Sequence, residues 1–212
     1  MKLSPRDVKG FCARPDLRHA AILFYGPDPM RTALTRKDLV AKVLGENRVE
    51  DMRLTQLNGA EQRKAPAPLA AAHRAQGFFP GQRVVEVQDA GDGTAKAIET
   101  MLAEWQEGDA FVVVAAGQLT PRSALRKLFE GSKIALAAAI YADPPSREDI
   151  ETALAQAGLS NLAPEAMPAL LALANTLDPG DFRQTLEKLA LYKLGDTTAV
   201  TSADITEVMS RV

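Results

Sequence analysis

The feature that most constrains the fold of this chain is an alternation of short apolar runs with helical patterns before residue 142. One run, Phe111-Val112-Val113-Val114, is apolar on both faces, as expected of a central strand in a parallel sheet. Strands separated by helices in this way predict an α/β fold with a five-stranded parallel sheet flanked by helices. The predicted strands span residues 20–25, 51–57, 83–87, 110–115 and 134–140, and the predicted helices span 4–17, 30–44, 59–76, 94–107 and 121–129.

The pattern becomes helical throughout after Asp143-Pro144-Pro145. Ser146 has the chemistry of a helix N-cap, and acidic residues follow it in the first turn. Further helices are predicted over residues 164–176, 179–192 and 202–209, with no strand between them. We therefore expect two domains, an α/β domain over 1–142 and a small all-helical lid over 143–212.

The turn between the first strand and the second helix has the layout of a phosphate-binding loop. A strand, a Gly turn and a helix N-terminus are the setting of the pattern G-x-x-x-x-G-K-[ST]. Counted from Gly26, the second glycine is replaced by Arg31, the lysine by Thr32 and the hydroxyl residue by Ala33. Without that glycine, lysine and hydroxyl, a phosphate and its magnesium lose their usual ligands. This degenerate loop predicts that no nucleotide cofactor binds here.

The third predicted strand gives little support for phosphoryl transfer either. A nucleotide-hydrolysing site needs acidic residues at a strand end to hold magnesium and activate water. Here the strand ends Gln88-Asp89-Ala90, so Asp89 stands alone, and alternation predicts that Glu86 faces solvent. His19, His73 and Cys12 lack metal-ligand spacing and are expected to pack as ordinary side chains. We expect no catalytic residue, no metal site and no cofactor.

Composition narrows the class of protein. The formal net charge of −2 gives no overall electrostatic footprint for nucleic acid. A single cysteine excludes disulfides and fits a reducing cytoplasm. No apolar run approaches the length of a membrane span, so we expect a soluble, cytoplasmic protein without a membrane partner.

Two adjacent aromatic residues, Phe78 and Phe79, lie between the helix predicted over 59–76 and the next strand. Gly77 precedes them and Pro80-Gly81 follows, so the chain must turn at both sides. Rigid aromatic side chains make good interface anchors, and the pair could project from this loop as a hydrophobic plug. Alternatively, one or both cap the helix against the sheet.

Taken in order, four segments resemble the delta subunit of the bacterial DNA polymerase III clamp loader over nearly the whole chain. They are LFYGPD (23–28), FFPGQRVV (78–85), GQLTPRSALRKLF (117–129) and LEKLALY (186–192). The resemblance implies an AAA+-type fold without an ATP site, in a protein that binds the ring-shaped beta sliding clamp and opens it. It places the clamp-binding hydrophobic pair at Phe78 and Phe79. It also aligns Arg183 with an arginine that reads nucleotide in active AAA+ relatives, and here we expect a structural helix residue.

The resemblance departs from the family at one point. Members carry a third, collar domain that joins the loader pentamer, and this sequence ends at Val212 without it. We expect either part of a longer protein or a shortened homologue. Clamp binding needs only the first domain, whereas assembly with the other loader subunits needs the collar domain, and primed DNA is expected to be an indirect partner. Two alternatives stay open. One is an AAA+ ATPase with a degenerate loop, and the other is a DNA-binding scaffold that uses Arg122, Arg126 and Lys127 on or near one helix face.

Overall fold

The computed structural model describes residues 1–45, 52–65, 67–75, 77, 80–141, 144–159 and 161–210. The chain divides into two compact units, Met1–Ala142 and Asp143–Val212. No described helix has both the length and the apolar character that crossing a membrane requires.

The first unit is built on a parallel sheet, which confirms the predicted fold class, and its described residues form six strands instead of the predicted five. Their order across the sheet is β1-β6-β2-β5-β4-β3, and every pair is parallel. The additional strand β1 has only two residues, too few to produce a recognisable pattern in the sequence. The strands are β1 Lys2–Leu3, β2 Ala21–Tyr25, β3 Leu54–Asn58, β4 Val84–Ala90, β5 Phe111–Ala116 and β6 Ala135–Ala139.

Helices cover both faces of this sheet. The helix predicted over 59–76 is in fact two helices, because Ala65 is extended at φ −141° and ψ 98°. Ala65 precedes a proline, and a residue in that position disfavours the helical conformation. The helices are α1 Pro5–Ala13, α2 Pro29–Leu44, α3 Gly59–Lys64, α4 Ala67–Arg74, α5 Ala95–Glu104 and α6 Ala124–Gly131.

Two apolar cores lie on opposite faces of the sheet. Side chains alternate along each strand, so Ile22 and Val113 face α1 and α2, whereas Leu23 and Val112 face α4, α5 and α6. The central strands β2 and β5 are buried along their whole length. This double coverage explains why these strands are continuous apolar runs in the sequence.

In the described part of the second unit, four helices surround one apolar core. Ser146 caps the first of them through a reciprocal pair of hydrogen bonds with Asp149, as its sequence context indicates. Ile150, Leu170, Leu189 and Ile205 each contribute a buried side chain from a different helix. The helices are α7 Arg147–Gln156, α8 Ala166–Thr176, α9 Pro179–Tyr192 and α10 Ser202–Ser210.

Candidate functional site

The phosphate-loop position lies at the carboxyl edge of the sheet, where β2 ends and α2 begins. A Cβ atom at Gly26 would lie 2.0 Å from the backbone oxygen of Ile140. The Gly26 amide also donates to the Gly117 oxygen at 3.3 Å. Gly26 therefore lets the segments that follow three neighbouring strands, β6, β2 and β5, approach one another closely.

The first turn of α2 is capped by Asp28. One carboxylate oxygen of Asp28 accepts from the Arg31 amide at 3.0 Å, and the other accepts from Arg31 Nε at 3.1 Å. The Thr32 hydroxyl donates to the Asp28 backbone oxygen at 2.9 Å, so it is engaged within the helix. Where a phosphate loop holds a phosphate, this chain places its own carboxylate. The sequence carried a signal for this cap, since Asp28 directly precedes a helix that begins with Pro29.

Glu86 on β4 faces the interior, so the prediction that it faces solvent is wrong. Its side chain is 4% exposed, and Oε2 accepts from Gln56 Nε2 at 2.8 Å and from Gln88 Nε2 at 3.3 Å. Oε1 lies 3.5 Å from Arg36 Nε. Alternation failed here because β4 is covered on both faces, so neither set of its side chains reaches solvent freely. No local signal in the sequence pairs Arg36 with Glu86, because 50 residues separate them.

Asp89 lies at an irregularity near the end of β4. Its φ is +53°, and the pairing register with β5 shifts between Val87 and Ala90. The Asp89 side chain is exposed. Within the described ranges, no group of three or more His, Cys, Asp or Glu side chains could hold a metal ion.

The two histidines and the cysteine are packed against apolar neighbours. His73 is fully buried, and its Nδ1 lies 3.1 Å from the Leu69 oxygen. His19 contacts Phe11 edge to face, with ring centroids 6.3 Å apart. Burial raises the pKa of the Cys12 thiol to about 12, with a smaller contribution from Asp38. None of the three has the environment of an activated base or nucleophile.

Phe78 and Phe79, the predicted clamp-binding pair, lie outside the described residues. The described elements on either side are helix α4, which ends at Arg74, and strand β4, which begins at Val84. Helix α4 is anchored to the sheet, because the Ala110 amide donates to the His73 oxygen at 2.9 Å and Leu69 is fully buried. The Leu69 amide donates to Gln62 Oε1 at 3.1 Å, which ties α4 to α3.

The predicted basic face is not formed, because Arg126 turns inward. Its guanidinium lies 5.2 Å from the centre of the Tyr25 ring, and Nε pairs with Glu130 at 2.9 Å. Arg122 and Lys127 are exposed, but Arg122 precedes α6. Arg183 forms an ion pair with Glu187 of the same helix at 3.4 Å.

Comparison with known proteins gives structural matches only. No protein-family model matches the sequence, and no curated protein sequence matches it significantly. The DNA clamp loader delta protein YqeN of Bacillus subtilis superposes with a TM-score of 0.63 and 17% identity, covering 98% of this chain. The RuvB Holliday junction branch migration motor of Thermotoga maritima superposes with a TM-score of 0.52 and 11% identity, covering 99% of this chain and 70% of RuvB.

These matches confirm the predicted AAA+-type fold and the resemblance to a clamp loader delta protein at the level of fold. The chain spans 62% of the length of YqeN. At these identities the likeness concerns the path of the backbone, and the chemistry must be argued from the residues of this chain.

Proposed function

We propose that this chain is a non-catalytic subunit of a DNA clamp loader, which binds the beta sliding clamp and opens it during DNA replication. One observation carries the proposal: in a fold shared with a clamp loader delta protein, the helix N-terminus that would hold a phosphate is capped by Asp28. The chain thus shares a fold with a clamp loader delta protein, and its phosphate-loop position is occupied by the Asp28 carboxylate.

Charge and geometry at α2 support the proposal that this chain does not hydrolyse ATP. A triphosphate would have to displace the Asp28 carboxylate from the first turn and break its bonds to Arg31. If the carboxylate stayed, it would repel the phosphates. Neither Thr32 nor Ala33 supplies the cation or the magnesium ligand that the usual loop provides. In this proposal the ATP is bound by other subunits.

Clamp contact is assigned to Phe78 and Phe79, which would bury in an apolar pocket of the clamp. The anchored helix α4 supports this role, since a hydrophobic plug transmits force only if the element behind it is fixed. His73 and Leu69 fix α4 against the sheet and α3 through the bonds described above. The alternative, in which the pair packs inside the protein, predicts that its removal would destabilise the fold.

The remaining assignments follow from the same proposal. Residues 1–142 form the clamp-binding domain and residues 143–212 the lid, with the other loader subunits as partners and primed DNA as an indirect one. The proposed place of action is the cytoplasm, which a single free cysteine fits. Direct DNA binding through Arg122, Arg126 and Lys127 is disfavoured because Arg126 is engaged with Tyr25 and Glu130.

Titration of the chain with labelled ATP and magnesium separates this proposal from a degenerate ATPase. We expect no saturable binding at nucleotide concentrations up to about 1 mM, a range that covers ordinary substrate affinities. Micromolar affinity would refute the non-catalytic assignment. Co-elution of the chain with purified sliding clamp on a sizing column tests the partner separately.

A further inference from the structure

Among the described residues, the sheet of the first unit has an open edge at β3. Strand β3 pairs with β4 on one side only, and no other described strand lies beside it. The Val84 amide donates to the Arg53 oxygen at 2.9 Å, so the backbone groups of Arg53 point toward β4. By alternation, the backbone groups of Thr55 and Leu57 point toward β4, and those of Leu54 and Gln56 point outward.

The two edges of the sheet differ in how well they are protected. Exposed edges are usually made short, charged or interrupted by proline, because unpaired backbone groups recruit other strands. Strand β1 follows this rule, with two residues, one of which is Lys2. Strand β3 does not, since its sequence Leu-Thr-Gln-Leu-Asn is five residues long and carries neither charge nor proline. Its edge is therefore competent to pair with another strand.

A groove lies beside this edge, between β3 and α2. It has a volume of about 200 Å³ and is lined by Arg36, Lys37, Val40, Leu54, Gln56 and Glu86. Leu54 and Gln56 thus contribute to both features. Their backbone groups point outward at the edge, and their side chains line the groove. A strand that paired with them would place alternate side chains next to the groove.

The groove contains two cations and one carboxylate. The buried Nε of Arg36 has no hydrogen-bond acceptor among the described residues, although it lies 3.5 Å from Glu86 Oε1 as an ion pair. The other oxygen of Glu86 already accepts from the amides of Gln56 and Gln88. Lys37 is exposed and has no ion-pair partner among the described residues. An additional carboxylate would complete this set of charges.

The size of the groove limits what can occupy it. Pockets for cofactors and other small molecules typically measure about 300–1,000 Å³, so this groove is too small for a nucleotide. It is large enough for one acidic side chain together with its backbone attachment. Val40 and Leu54 would contact the methylene part of such a side chain, and the cations would contact its head.

We infer that β3 and this groove form a docking site for an extended, acidic peptide segment of a partner protein. The segment adds to the sheet as a seventh strand beside β3 and inserts a glutamate or aspartate side chain between Arg36 and Lys37. The proposed docking site includes neither Phe78 nor Phe79, so it can be tested independently of clamp binding.

A defined peptide tests the site. The probe is a fluorescein-labelled octapeptide of alternating valine and threonine with one central glutamate, measured by anisotropy against the full chain. We expect saturable binding below about 1 mM peptide. We also expect slower hydrogen exchange at the outward amides of Leu54 and Gln56, with little change at Thr55 and Leu57, which already face β4.

Matched variants identify the chemistry. Lys37→Glu is expected to weaken binding about tenfold, because it replaces an attraction by a repulsion, whereas Lys42→Glu makes the same charge change elsewhere on α2 and should have little effect. A peptide with glutamine in place of glutamate should bind more weakly, and one methylated on its backbone amides should not bind. The inference is overturned if the probe does not bind, if Lys37→Glu and Lys42→Glu behave alike, or if the amides of Leu54 and Gln56 stay unprotected.

Discussion

At the scale of single residues, Gly26 is explained by close packing. Its missing side chain allows the chain after β2 to pass the Ile140 oxygen, which a Cβ atom would approach to 2.0 Å. A glycine that a sequence pattern assigns to phosphate binding thus has a structural role that needs no ligand. A glycine that matches this pattern can therefore serve either phosphate binding or close backbone packing. The neighbouring residues show which of the two applies.

Substitution of Gly26 measures this packing directly. We expect Gly26→Ala to lower the free energy of unfolding by about 3 kcal/mol, because the backbone of Ile140 cannot move as a flexible side chain would. Urea unfolding followed by circular dichroism gives the value. Gly117→Ala is the matched control, since a Cβ atom there meets nothing within 4 Å and should change stability by less than about 1 kcal/mol. Equal effects of the two substitutions would refute the packing explanation.

Cys12 is predicted to be chemically inert in the folded protein. Burial raises the pKa of its thiol to about 12, so almost no reactive thiolate is present at neutral pH. Iodoacetamide at pH 7.5 should therefore leave the native chain unmodified, as followed by mass spectrometry, and should alkylate it in urea. Rapid alkylation of the native chain would show that the helix α1 region opens readily.

Two residues show what sequence could and could not reveal at this scale. Asp28 was recognisable as a helix cap from its position before Pro29, because capping depends on neighbours in the chain. The inward orientation of Glu86 could not be recognised from the sequence. It depends on burial of both faces of β4 and on the distant side chains of Arg36 and Gln56.

At the scale of elements, the long and strongly patterned segments were predictable, and the short ones were not. Helix α9 begins and ends at the predicted residues, Pro179 and Tyr192. By contrast, β1 is formed by two residues that pair with β6 only in the folded sheet. The break between α3 and α4 follows from local chemistry before Pro66, which the helical pattern of the surrounding residues concealed.

The turn after α9 is held by an inward-facing lysine. Lys193 Nζ donates to Asp196 Oδ2 at 2.5 Å and to the Thr198 hydroxyl at 2.7 Å. The lysine side chain is 5% exposed, whereas its neighbours Leu191 and Leu194 are largely exposed. These bonds, with further bonds from Thr198, lower the pKa of Asp196 from 3.8 to about 2.

This pKa shift predicts how an element of the second unit responds to acid. Because the folded state favours the ionised Asp196, its contribution to stability is present above about pH 4 and is lost as the pH falls toward about 2. Lys193→Met should therefore be less stable than wild type at pH 6, and that difference should shrink over the same interval. Urea unfolding at several pH values measures it.

Lys188→Met provides the control for this pH dependence, because Lys188 is an exposed lysine of the same helix. Its difference from wild type should stay nearly constant from pH 6 to about pH 2. A difference for Lys193→Met that did not change with pH would refute the role of the Lys193–Asp196 pair.

At the scale of the whole molecule, the first unit is a parallel sheet with an apolar core on each face. The carboxyl edge of that sheet carries the capped turn at Gly26 and Asp28. Sequence predicted the parallel sheet and a change to helices near residue 143, because both depend on patterns that extend over many residues. The fold match to YqeN and RuvB supports the architecture and leaves the activity to be tested.

The most direct test of the proposed function compares the wild-type chain with the double variant Phe78→Ala/Phe79→Ala in a titration with purified sliding clamp. Truncating an interface anchor typically costs about 2–4 kcal/mol of binding free energy, so the double variant should lose measurable clamp binding. Its helix content and melting temperature should stay close to wild type. Clamp binding that survives in the double variant, or a loss of stability that equals the loss of binding, would contradict the assignment of this pair as the clamp-binding surface.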